Sequence, residues 1–168
     1  MRVAEADLIV EGLREAGFNF VASLPATQLH VLQERLWTHP AFVHVGVANE
    51  GEGVAICAGA WLGGKMPVIV METSGILVAT YALLRCHATF GIPTLLLSTY
   101  RGDLGEQEWY AVHTGAAMAP LLEAIRVPSK VVREPDDLKP ALLEARRSMD
   151  VSLQPVSVVL GGRLTRGE

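Results

Sequence analysis

Two periodicities alternate along the chain almost from end to end. Over residues 4–16 the apolar positions Ala6, Ile9, Val10 and Leu13 fall on one helical face and Gly17 stops the run, so a helix is predicted there. Residues 20–24 are continuously apolar and close at Pro25, as a short buried strand does. A second helix is expected over 27–37, capped by Thr27 with Leu29, Leu32 and Leu36 inward, and His39-Pro40 ends it before a strand at 42–47. Residues 50–62 read as a third helix crowded with Gly51, Gly53, Ala55, Ala58, Gly59 and Ala60. Glycine weakens a helix, so that composition predicts a close approach to its backbone.

The remaining pattern is a strand at 66–71, a helix at 76–90 opened by Gly75, and an aliphatic strand at 93–98. Residues 100–114 are polar and aperiodic, which marks the longest loop and a candidate lid or partner contact. A short helix at 118–125, a strand at 130–133, a helix from Pro135 to about Met149 and a strand at 155–160 complete the series. Strands interleaved with helices predict an α/β fold: a doubly wound, mostly parallel six-stranded sheet with helices on both faces. One domain over 1–162 and a frayed tail over 163–168 are expected.

Composition narrows the function more than the fold. Half of the 168 residues are hydrophobic and the formal net charge is −4, which speaks against nucleic acid or an anionic membrane as the main partner. Cys57 and Cys86 lie in apolar helical segments and read as buried free thiols of a reducing, cytoplasmic protein. The N-terminus carries acidic residues at intervals and lacks the apolar core of a signal peptide. Trp37 and Trp61 read as packing residues.

In such a sheet, ligands bind beyond the C-terminal ends of the strands. Glu50 falls there, at the head of the small-residue helix, where free amides and the helix dipole favour a carboxylate. Spacing alone leaves it open whether Glu50 or Glu52 merely caps the helix. No phosphate-cradling GxxxxGK[ST] is present, the histidines are scattered without metal-ligand spacing, and Ser74 lacks the GxSxG context of a hydrolase elbow.

The run Asn49-Glu50-Gly51-Glu52-Gly53-Val54-Ala55-Ile56-Cys57-Ala58-Gly59-Ala60, followed by Gly64-Lys65-Met66-Pro67-Val68, resembles the pyrimidine-domain motif of thiamine-diphosphate enzymes. The match is to the sulfopyruvate and phosphonopyruvate decarboxylases. The likeness continues through Phe20-Val21-Ala22-Ser23-Leu24-Pro25, Met71-Glu72-Thr73-Ser74-Gly75, Gly91-Ile92-Pro93 and Tyr100-Arg101-Gly102, and spans about residues 4 to 160. It implies that Glu50 hydrogen-bonds N1′ of the cofactor's aminopyrimidine and promotes loss of the thiazolium C2 proton. It further implies cofactor contacts from Pro25, Ala26, Thr27, Thr73, Ser74 and Gly75, substrate contact from Arg101, and His113 as a candidate proton shuttle beside a surface or interface reading of the same residue.

The Gly-Asp-Gly…Asn motif that holds the diphosphate and Mg²⁺ in this family does not occur here. The resemblance therefore implies an alpha subunit whose beta partner holds the metal, with no metal ligand on this chain and the active site at the interface of a hetero-oligomer. The implied reaction is decarboxylation of 3-sulfopyruvate to sulfoacetaldehyde and CO₂, a step of coenzyme M synthesis in that family. The alternatives are phosphonopyruvate or another thiamine-diphosphate lyase or transferase chemistry, or a noncatalytic ligand-binding domain of the same fold.

Overall fold

A computed structural model describes residues 1–166. Six parallel strands form one sheet: β1 (Phe20–Ser23), β2 (Val43–Gly46), β3 (Pro67–Met71), β4 (Leu95–Thr99), β5 (Ser129–Val132) and β6 (Val156–Leu160), in the order 2-1-3-4-6-5. Their continuous apolar runs have a simple cause. β3, β4 and β6 are buried at every position because helices cover both faces, whereas the edge strands β2 and β5 leave most of theirs accessible.

Helices α1 (Val3–Glu15), α2 (His30–Thr38) and α6 (Leu138–Ser152) cover one face. There Ile9, Leu13, Leu32, Leu36, Leu142 and Met149 pack on Val21, Val68, Val70, Leu97 and Val158. Helices α3 (Glu50–Leu62), α4 (Thr73–Ala82) and α5 (Ala111–Ala124) cover the other, where Val54, Cys57, Ile76, Met118 and Leu122 meet Ala22, Ile69, Met71, Leu96 and Val159. Each such side chain contributes roughly 1.5–3 kcal/mol when it leaves water. The chain leaves β1 over the first face and β3 over the second, so the crevice between their C-terminal ends stays uncovered by either crossover.

Several elements differ from the sequence reading. α4 starts at Thr73, so Thr73, Ser74 and Gly75 form its first turn rather than a loop, and it continues as a π-helical turn over Leu83–Ala88. That turn seats a fully buried His87, with Nε2 2.9 Å from the Val54 carbonyl and Nδ1 2.8 Å from that of Ile92, and burial pushes its pKa down. α5 starts at Ala111, seven residues ahead of the expected 118, and runs through Pro120, whose missing N–H falls on the exposed side of the helix. Thr27 does not cap α2; it opens a 3₁₀ turn, Thr27–Leu29, and makes no capping bond.

Trp37 is not a core residue: it is 72% exposed and stacks on His44 at 5.3 Å between ring centroids. Cys57 is buried and its thiol is pushed up to about 12 by that burial, while Cys86 is only partly buried; both are free. The expected frayed tail begins instead with a helical turn, α7 (Arg163–Arg166), which buries Leu164 in the core; residues 167 and 168 lie outside the described residues. Among the described residues no helix is long and apolar enough to cross a membrane.

Candidate active site

The open question about the head of α3 has a geometric answer. Asn49 is the cap, its Oδ1 accepting from Gly51 N–H at 2.8 Å, and Glu52 reaches back to accept from Ala48 N–H at 3.0 Å. Both capping duties are thus filled by the neighbours of Glu50. Glu50 itself is 8% exposed, and its carboxylate has no hydrogen bond or ion pair with any described residue. It lies across the first turn of α4: a Cβ added to Gly75 would sit 2.8 Å from both Cγ and Oε1 of Glu50. Glycine at 75 is what lets the acid settle there. With no partner among the described residues, the carboxylate is left available to a group from outside the chain.

Thr73 points the other way. Its Oγ1 donates to the Thr99 carbonyl at 2.5 Å and accepts from Arg101 N–H at 3.0 Å, while its own N–H donates to Thr99 Oγ1 at 3.3 Å. The side chain is wholly buried, so Thr73 joins the ends of β3 and β4 and does not offer its hydroxyl to the crevice. Ser74, one residue on, is exposed and its side chain has no bond among the described residues.

The loop after β1 is braced by a residue the sequence did not single out. Gln33 on α2 is buried, donates Nε2–H to the Leu24 carbonyl at 2.6 Å and accepts from Ala26 N–H at 3.0 Å. Pro25 and Thr27 remain exposed on either side of buried Ala26. Pro25 also borders a groove of about 500 Å³ on the α2 face, lined with Ser23, Trp37, His44 and Gly46, which does not include Glu50. His44 Nε2 lies 2.8 Å from Ser23 Oγ in that groove, and burial lowers its pKa.

Beyond β4 one carboxylate gathers most of the loop's bonds, while Asp103 pairs with Arg133. Glu106 accepts from Arg101 Nε at 2.9 Å and Nη2 at 3.0 Å, and from the backbone N–H groups of Gly102, Gln107 and Glu108. Arg101, followed by burial acting the other way and by the Gly102 and Glu108 amides, holds the Glu106 carboxyl at about 2. Arg101 is buried, and its remaining Nη1 stands 3.8 Å from Glu72. The same loop lies backbone to backbone on α5: a Cβ on Gly115 would fall 1.8 Å from the Arg101 carbonyl oxygen. His113, on the first turn of α5, is exposed and its side chain has no bond among the described residues.

Glu50 and Gly75 therefore meet directly, with Ser74 beside them; Thr73 supports them from below, and Arg101 is engaged by Glu106. Glu106, Gln33 and Gly115 carry no motif, and their roles arise only when distant segments meet. Among the described residues no three His, Cys, Asp or Glu side chains gather as a metal-holding group. A thiamine diphosphate pyrimidine fits what is present: an unpartnered acid able to engage a ring nitrogen, beside a residue that can have no side chain.

No family model matches the sequence. Its relatives include the protein named sulfopyruvate decarboxylase subunit alpha of Methanothermobacter thermautotrophicus, 29% identical over 95% of this chain and 94% of that one. The protein of the same name in Methanocaldococcus jannaschii is 30% identical over 90% and 89%. The fold is also that of part of the 2-oxoglutarate:ferredoxin oxidoreductase of Magnetococcus marinus, with a TM-score of 0.75 at 20% identity, covering 96% of this chain and 29% of that one. With its capped small-residue helix, its buried acid and relatives matched over nearly their full length, the chain belongs to the alpha-subunit family of the sulfopyruvate/phosphonopyruvate decarboxylases, a group of thiamine-diphosphate enzymes.

Proposed function

We propose that this chain is the pyrimidine-binding half of a two-subunit 2-oxoacid decarboxylase, and that Glu50 is its catalytic acid. The observation that carries this reading is the Glu50 carboxylate, buried at the sheet's C-terminal crevice, pressed on Gly75 and unpartnered among the described residues. Thiamine diphosphate, when bound, supplies the nucleophilic carbon and the electron sink for loss of carbon dioxide. Glu50 would hold and exchange a proton at the pyrimidine N1′, a task suited to a carboxylate shielded from water. Gly75 and the β3–β4 junction built on Thr73 keep that carboxylate in place, and Ser74, Pro25 and Thr27 form the exposed rim around it.

The relatives' shared name supports 3-sulfopyruvate as the substrate, giving sulfoacetaldehyde and CO₂. The Nη1 edge of Arg101, the side not closed by Glu106, is assigned to the substrate's far end, and His113 to the return of a proton. The diphosphate and Mg²⁺ are assigned to a partner subunit. Replacing Glu50 with Gln should leave assembly with that partner intact and lower C2 proton exchange of the cofactor by about 10²–10⁴-fold. Exchange at the wild-type rate would refute the role given to Glu50.

A further inference from the structure

Glu72 is the residue immediately before α4, three positions ahead of Gly75 and on the same lip of the sheet as the Glu50 carboxylate. Its Oε2 stands 3.8 Å from Arg101 Nη1, within reach of charge–charge attraction but too far for a hydrogen bond. A quarter of the Glu72 side chain is accessible, whereas Arg101 is almost wholly covered, at 25% against 6%. The opposite edge of the guanidinium is closed by two bonds from Glu106. One cation therefore faces two carboxylates. Glu106 already neutralises Arg101, Tyr110 also bonds the guanidinium and lies over it with its ring centroid 5.9 Å from Cζ, and Glu72 remains as an excess negative charge beside Nη1.

We propose that Glu72 is a specificity-determining residue: it allows the Nη1 edge of Arg101 to take a far-end group bearing one negative charge and selects against a group bearing two. This rests on the 2-oxoacid reading above. A sulfonate carries one charge spread over three acceptor oxygens, any of which can take an Nη1 hydrogen. A phosphonate of the same shape carries a second charge at alkaline pH and would place it within a few ångströms of Glu72. Two like charges about 4 Å apart near a protein surface repel enough to weaken binding on the order of tenfold or more. Shape does not separate the two groups; charge does. Glu106 cannot relieve the conflict by taking a proton, since the guanidinium and loop amides keep it ionised.

The test uses the complex with the partner subunit and, first, two probes that need no cofactor chemistry. By calorimetry at alkaline pH, the wild-type complex should bind sulfoacetate on the order of tenfold more tightly than phosphonoacetate. Glu72→Gln should bring the two within about twofold, and Glu72→Asp, which keeps the charge, should preserve the preference. Lowering the pH until the phosphonate is a monoanion should narrow the wild-type gap in the same direction. The kcat/KM ratio for sulfopyruvate over phosphonopyruvate should follow the binding ratio in each variant. An unchanged ratio in Glu72→Gln, an equal gain for both probes, or no binding of either probe would overturn the proposal. If the binding ratio moves as expected but no 2-oxoacid is turned over, the decarboxylase reading falls and the charge filter stands. If turnover is seen and the ratio ignores Glu72, the filter alone falls.

Discussion

The contact between Gly75 and Glu50 makes Gly75→Ala the sharpest test of how the acid is positioned. The new methyl would lie 2.8 Å from Cγ and Oε1 of Glu50 and 3.0 Å from Met71 Cβ. Carbon atoms pack best at about 3.5–4.0 Å, so something must move by roughly 0.7–1.2 Å. Met71 Cβ is fixed to a fully buried central strand, so the flexible Glu50 side chain yields. Gly75 does not use a positive φ, and alanine is therefore compatible with the helical backbone. Helix propensity favours alanine by about 1 kcal/mol and overpacking costs about 1–3 kcal/mol, leaving a net loss of about 0–2 kcal/mol.

The effect on chemistry should be far larger, because displacing a catalytic group by about 1 Å costs on the order of 10²-fold. Urea unfolding of the isolated chain and C2 exchange in the reconstituted complex would measure the two quantities separately. The expected result is a chain that folds nearly as well and exchanges about a hundredfold more slowly. Near-normal exchange in a well-folded Gly75→Ala complex would refute the claim that the position of the acid depends on this contact.

Two further outcomes follow from the loop after β4. Gly115→Ala meets only backbone atoms, the Arg101 carbonyl oxygen at 1.8 Å and Gly102 Cα at 2.7 Å, so unfolding should show a loss of about 3–5 kcal/mol where an ordinary Gly→Ala change in a helix gains stability. Glu106 has a depressed carboxyl, at about 2 against 4.5, so its contribution is complete above about pH 4.5 and is lost as pH falls through about 2. With solvent screening allowed for, that contribution is on the order of 1–2 kcal/mol, and Glu106→Gln should flatten stability against pH in that window. An equally steep acid limb in the variant would count against it.

How much of this was legible in the sequence depended on whether the cause was local. The β3, β4 and β6 runs and the span of α3 were readable because burial on two faces and a Gly/Ala-rich helix leave a composition signal. The start of α5 was not. Gly115 and Pro120 lower the helical signal of 111–124, and Gly115 is needed for contact with Arg101 and Gly102, which nothing nearby announces. The resemblance grouped Thr73 with Ser74 and Gly75, yet a helix turns neighbours in different directions, and the Thr73 hydroxyl went to Thr99. Glu50 was ambiguous for a related reason. Which of three adjacent polar side chains turns back to cap the helix is set by bonds that spacing does not announce, those of Asn49 and Glu52.

The gathering of donors on Glu106 bears on how this loop tolerates change. Much of its path is set at one position, since the same two oxygens fix Arg101, Gly102, Gln107 and Glu108, with the Asp103–Arg133 pair as a second tie. Leu104, 98% exposed, contributes little to that path and is therefore open to substitution. Natural drift or deliberate engineering can thus rewrite the surface of the loop, and with it whatever that surface touches, without disturbing the guanidinium beneath it.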